Sequence, residues 1–231
     1  MTTSLLNSLL RALLRWGAAL VFCLPLRHRT HFWARACGML FPLLLLAQLL
    51  DPLAQSTTLW QQQLLLLVLY ISFFALLGGM IYLCTDINKK GALYCAVWSL
   101  LIAQCAYESW CFLELQFTRY GHPLNMASPW AVLVQLLSGA VFFAAVYILL
   151  ARQLPYKGEY NIGPRQLFSA FFIGILFMVQ AAVLDNARTE HTPLSLTVTI
   201  LIGQFYFITL LYFQSELFKK SAMEKEMNEL N

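Results

Sequence analysis

Charge is scarce in this sequence. Asp, Glu, Lys and Arg together supply only 11% of its 231 residues, against about 25% in a soluble domain, while 60% of the chain is hydrophobic. A chain so poor in charge cannot cover a water-facing surface. Metal and nucleotide signatures are missing as well. There is no CxxC, no GxGxxG, no P-loop, no HExxH and no carboxylate pair at catalytic spacing. No metal, cofactor or nucleic-acid partner is therefore expected. Six cysteines are present, but Cys23, Cys84, Cys95, Cys105 and Cys111 fall in or at the ends of apolar runs, as small buried residues do, and Cys37 lies beside a basic turn. They do not form a disulfide framework.

What the chain has is long apolar runs. Leu64–Cys84, Trp130–Ala151, Leu167–Leu184 and Leu194–Phe213 carry no charge. Ala92–Leu113 contains one acid, Glu108, and Phe32–Leu50 is apolar apart from Arg35 and Gln48. A helix needs about 20 such residues to cross a hydrocarbon layer about 30 Å thick. A seventh run, Leu5–Leu26, is ambiguous, because Ser4, Asn7, Ser8, Arg11 and Arg15 form a polar stripe at spacings of 3 and 4. That stripe suits a helix that crosses with its polar face toward other helices. The alternative is a helix lying along the inner membrane surface, which leaves six spans. The expected fold is all-α: a polytopic membrane bundle of six or seven transmembrane helices over residues 1–213, with a cytoplasmic connector helix over 214–231.

Basic residues set the expected orientation. Arg27, Arg29 and Arg35, then Lys89 and Lys90, then Arg152, Lys157 and Arg165, then Lys219, Lys220 and Lys225 occupy alternate connectors and the tail. The intervening connectors hold only Arg119 and Arg188. Cytoplasmic loops are the base-rich ones, so the C-terminus is expected in the cytoplasm and the protein in the plasma membrane, with the bilayer as its first partner.

Chemistry has few places to reside. Gln104, Tyr107, Glu108 and Cys111 share one face of the Ala92–Leu113 run, and ionisable groups at membrane depth usually face the bundle interior. Gln104 and Glu108 suit helix-to-helix glue first, and ligand contact as the alternative. Glu114, Arg119 and Arg188 lie beyond the outer ends of the runs. The candidate ligand-binding set is thus Gln104, Tyr107, Glu108, Glu114, Arg119 and Arg188. No catalytic residue is assigned. A peptide-processing cysteine endopeptidase using Cys37 with His28 or His31 is one alternative, and a permease or structural membrane protein is another.

The segments LPLRHRTHFWAR (Leu24–Arg35), DINKKGALYCAV (Asp86–Val97), IAQCAY (Ile102–Tyr107) and the closing YFQSELFKKSAMEKEMNEL resemble the membrane sensor region of GHKL-type histidine kinases of the accessory-gene-regulator-like, peptide-sensing class. The resemblance implies a module that detects a small extracellular peptide for a two-component, quorum-sensing system, and a homodimer. It also singles out Gln104 and the turn of Arg27, Arg29 and Phe32 as matching recurrent positions. Kinases of that class continue into a phosphoacceptor helix and an ATP-binding domain. No histidine follows His191 here, so the resemblance implies a sensor region that is not itself an enzyme.

Overall fold

The computed structural model describes the backbone of residues 2–54, 59–119, 129–156, 158–187 and 194–230, and their side chains except those of 2–7, 49–54, 59, 60, 62, 63, 66, 118, 119, 129, 181–187 and 194–197. Seven α-helices account for nearly all of it: α1 (Thr2–Cys23), α2 (Phe32–Ala54), α3 (Leu59–Cys84), α4 (Lys89–Arg119), α5 (Pro129–Val146), α6 (Pro164–Ala187) and α7 (Leu194–Leu230). The described residues contain no strand, and the chain is an all-α helical bundle.

Local sequence explains the breaks. Pro25 disfavours helical backbone at the residue before it, and α1 stops at Cys23. Asn88 caps α4: its Oδ1 accepts from the Gly91 backbone N–H at 2.7 Å, satisfying one of the four donors a helix start leaves open. Pro129 and Pro164 occupy the first positions of α5 and α6, where a missing N–H costs nothing. After α5 the chain widens into a π-helical turn over Tyr147–Ala151, closed by Arg152 N–H donating to the Tyr147 carbonyl at 3.1 Å.

Among the described residues, four helices contain segments long and apolar enough to cross a membrane: Leu67–Cys84, Lys89–Phe117, Trp130–Ala151 and Val198–Leu230. α2 and α6 carry shorter apolar segments, Phe32–Gln48 and Pro164–Gln180. Burial is uneven. Inside the bundle, 72% of the α4 segment is buried, against 11% of the α5 segment, so α4 is the central helix and α5 is peripheral. α4 packs against α1, α3, α5, α6 and α7. The outer face of α5 exposes Leu133, Leu136, Leu137 and Val141, a contiguous apolar patch that water would penalise.

Position in the bundle settles the ambiguity of α1 in part. α1 packs against α2, α3, α4 and α5. Arg11 touches Tyr107, and eleven residues on, Phe22 packs on Trp98 with ring centroids 5.9 Å apart. α1 therefore runs antiparallel to α4 through the same layer, with Ala12, Ala18, Ala19 and Phe22 buried. It is an interior bundle helix whose Ser8 is buried and whose Arg11 and Arg15 face its neighbours.

The base-rich connectors meet at one end. The α1–α2 turn is bridged to the α3–α4 turn through His28 and Thr85, with Arg29 N–H donating to the Cys84 carbonyl at 2.9 Å and Asp86 N–H to the Arg27 carbonyl at 2.8 Å. Arg29 and Asp86 add an ion pair at 3.8 Å. Gly91 lies so close to the α5–α6 connector that a Cβ there would sit 3.2 Å from the Tyr160 carbonyl oxygen. That connector in turn holds α7: Tyr156 donates to Glu226 at 2.6 Å and Lys219 to the Gln153 carbonyl at 3.0 Å.

Candidate functional site

Where α1, α3 and α4 meet, α1 and α4 bring polar side chains into the interior. Ser8, Arg15, Gln104 and Glu108 are all buried. Helical spacing puts Arg11 and Arg15 on one face of α1, and Gln104, Tyr107 and Glu108 on one face of α4. Because the helices are antiparallel neighbours, the two faces meet. Arg11 Nη2 donates to the Tyr107 hydroxyl at 2.6 Å, and its guanidinium carbon lies 4.6 Å from the centre of the same ring. Arg15 places its guanidinium 3.9 Å from the centre of the Phe73 ring on α3. Gln104 Nε2 donates to Glu108 Oε1 at 3.1 Å along α4.

An arginine in an apolar layer costs about 2.5–3.5 kcal/mol on insertion scales. Two of them persist only with compensation, and the aromatic faces of Tyr107 and Phe73 provide part of it: a desolvated cation over a ring is worth about 2 kcal/mol. The cluster carries two guanidinium groups and one carboxylate, Glu108. The space enclosed by Arg11, Leu14, Arg15, Tyr70, Gln104 and Tyr107 is about 10 Å³, room for about one water molecule. In this packing the cluster clamps α1 to α3 and α4 and is closed to a peptide.

The structure brings together three of the six residues singled out from sequence, Gln104, Tyr107 and Glu108. Glu114 is half-buried on α4, six residues and about 9 Å further along the helix axis. Arg119 ends α4, but its side chain, like the whole of Arg188, lies outside the described residues. Arg11 and Arg15 belong to the cluster without having been assigned to it from sequence. Their stripe was visible there; the face of α4 that receives it was not.

Cys37 is exposed and makes no hydrogen bond to His28 or His31. His28 is engaged elsewhere, with Nε2 3.2 Å from the Cys23 carbonyl and its ring stacked on Phe32 at 4.1 Å. Among the described residues no group of three His, Cys, Asp or Glu is placed to hold a metal ion.

Fold and site together define a class: a bundle of apolar helices with a buried cationic–aromatic cluster linking its first helix to its central one. Compared with protein-family models, with curated proteins and with solved structures, the chain matches none.

Proposed function

We propose that this protein is a multi-span plasma-membrane protein that receives a signal outside the cell and passes it to the cytoplasm through α7, in the manner of the sensor region of GHKL-type histidine kinases. The base-rich end is the cytoplasmic one. α1 crosses alongside α4, making seven spans with α2 and α6.

The observation that carries this reading is the continuity of α7. It runs unbroken for 37 residues, about 55 Å, from an apolar half into a polar half ending in EKEMNEL. A helix that leaves the layer without a break transmits rotation and translation along its length. α7 also packs on α4, the helix bearing the polar cluster, so a change in how α1 and α4 meet reaches α7 through a rigid neighbour.

The ligand in this reading is a small peptide bound at the outer helix ends, where Glu114, Arg119 and Arg188 add charge to the end of the cluster formed by Gln104, Tyr107 and Glu108. It acts by binding one packing of the spans more tightly than another; a ligand of equal affinity for both shifts nothing. A homodimer would use the outer side of α7, where Phe213, Leu217 and Met227 are exposed.

The test is a fusion. The cytoplasmic half of a GHKL-type kinase is joined after Asn231 in heptad phase, and one to seven alanines are added at the junction. Each added residue rotates the kinase half by about 100° about the helix axis. Kinase activity should therefore oscillate with insert length and return near seven residues. A Gly-Gly-Pro insert should abolish the dependence, since proline costs about 3 kcal/mol in a helix interior. A flat response along the alanine series refutes transmission through α7.

A further inference from the structure

The α1–α2 and α3–α4 turns carry more positive charge than their own contacts use. Arg27 and Arg29 lie in the first turn, Arg35 in the opening turn of α2, and Lys89 and Lys90 open α4. Asp86 is the one acid in the stretches Leu24–Arg35 and Thr85–Lys90. It pairs with Arg29 at 3.8 Å, whose guanidinium also lies 5.0 Å from the centre of the Tyr82 ring. Arg35 Nη1 donates to the Leu83 carbonyl at 2.8 Å. The side chains of Arg27, Lys89 and Lys90 are exposed and have no ion pair or hydrogen bond among the described residues.

Tertiary contacts concentrate these three charges. The Asp86 N–H donates to the Arg27 carbonyl at 2.8 Å, which holds Arg27 beside the segment that leads into Lys89 and Lys90. The two lysines also stand at the start of α4, whose first turn has no acidic residue. The positive end of a helix dipole disfavours cations, so local structure gives no reason for them. The tail of α7 is balanced instead, with Lys219, Lys220 and Lys225 among Glu216, Glu224, Glu226 and Glu229.

The exposed side of α2 shows what lies next to this corner. Trp33, Cys37, Phe41 and Leu45 are exposed at spacings of four, a stripe suited to lipid. The stripe ends at Trp33, 61% exposed, and tryptophan is enriched where hydrocarbon meets head groups. Leu83, exposed near the end of α3, lies six residues before Lys89. The unpaired cations therefore stand just beyond an apolar collar, at the level of lipid phosphates.

We propose that this corner of the bundle is a docking surface for anionic phospholipid head groups, with Arg27, Lys89 and Lys90 supplying the attraction. Attraction between ions reaches about 8 Å at physiological salt, so the three cations need to share a corner and not a pocket. The inference rests on the membrane reading of the fold and is independent of signalling through α7, so the kinase fusion and the experiment below can fail separately.

The full chain is placed in nanodiscs of equimolar phosphatidylglycerol and phosphatidylcholine with matched acyl chains, and the lipids it retains are identified by native mass spectrometry. Phosphatidylglycerol should be retained in preference. Each basic residue removed near the surface should lower that preference about fivefold, so Arg27→Gln combined with Lys90→Gln should nearly abolish it. Arg27→Lys combined with Lys90→Arg keeps the charge and should keep the preference. Lys220→Gln combined with Lys225→Gln removes the same charge from α7 and should leave the preference unchanged. No preference in the native chain overturns the proposal and leaves the cations to an acidic protein partner. A preference that survives Arg27→Gln with Lys90→Gln overturns it too. So does an equal loss in the α7 pair, because net charge and not this corner would then hold the lipid.

Discussion

Arg11 on α1 and Tyr107 on α4 are 96 positions apart in the chain and 2.6 Å apart in space, the guanidinium donating to the phenol oxygen. The contact fixes the depth of the first helix against the central one.

A double-mutant cycle tests this pair. Arg11→Met and Tyr107→Phe each remove one partner while keeping much of its volume. Interhelical hydrogen bonds in membrane bundles are worth about 0.6 kcal/mol on average and reach about 1.7. The coupling from denaturation of the four proteins in mixed micelles should fall toward the upper end, because a charged donor is involved. A coupling of zero would place the two side chains apart.

Glu108 and Gln104 should differ in their effects. Gln104→Leu removes a donor to Glu108 and should cost about 0.6 kcal/mol. Glu108→Gln removes the carboxylate of a buried cluster that retains Arg11 and Arg15, and should destabilise the protein more than Gln104→Leu, since an uncompensated buried charge is the larger penalty. In the kinase fusion, Glu108→Gln should also change the response at unchanged membrane insertion. Equal stability of the two variants would remove Glu108 from the cluster's charge balance.

Orientation is measured by thiol labelling in a background without native cysteines. Cysteines at Gln62, Asn125 and Thr189 should react with an impermeant reagent from outside the cell, and those at Asn88 and Gly158 should not. Because α1 runs alongside α4, a cysteine at Thr2 should react from outside too. Protection at Thr2 with the rest as expected would leave six spans.

The strap on α7 gives a fourth prediction. Tyr156→Phe deletes the 2.6 Å bond to Glu226. A hydrogen bond to a charged group contributes about 1.5–3 kcal/mol, so backbone amides over 219–229 should exchange at least about tenfold faster while those of α4 stay unchanged. Unaltered exchange would mean that the other contacts of the connector suffice to hold the helix.

The sequence by itself determined the helical class, because apolar runs of about 20 residues with few charges have one stable backbone solution in a layer without water. It also determined that α7 runs on past residue 213, since Gln214–Leu230 contains no glycine or proline. The alternation of base-rich and base-poor connectors implied a common end for the former, and the bridges from His28 to Thr85 and from Tyr156 to Glu226 bring them there. Tertiary structure alone decided the place of α1. An amphipathic stripe such as Ser8, Arg11 and Arg15 is the same in sequence whether it faces water, head groups or another helix; only the positions of Tyr107 and Phe73 show that it faces inward. Tertiary structure alone also decided that Tyr94, Tyr160 and Ser215, which come from three separate elements, line one cavity, since nothing in local spacing records that they converge.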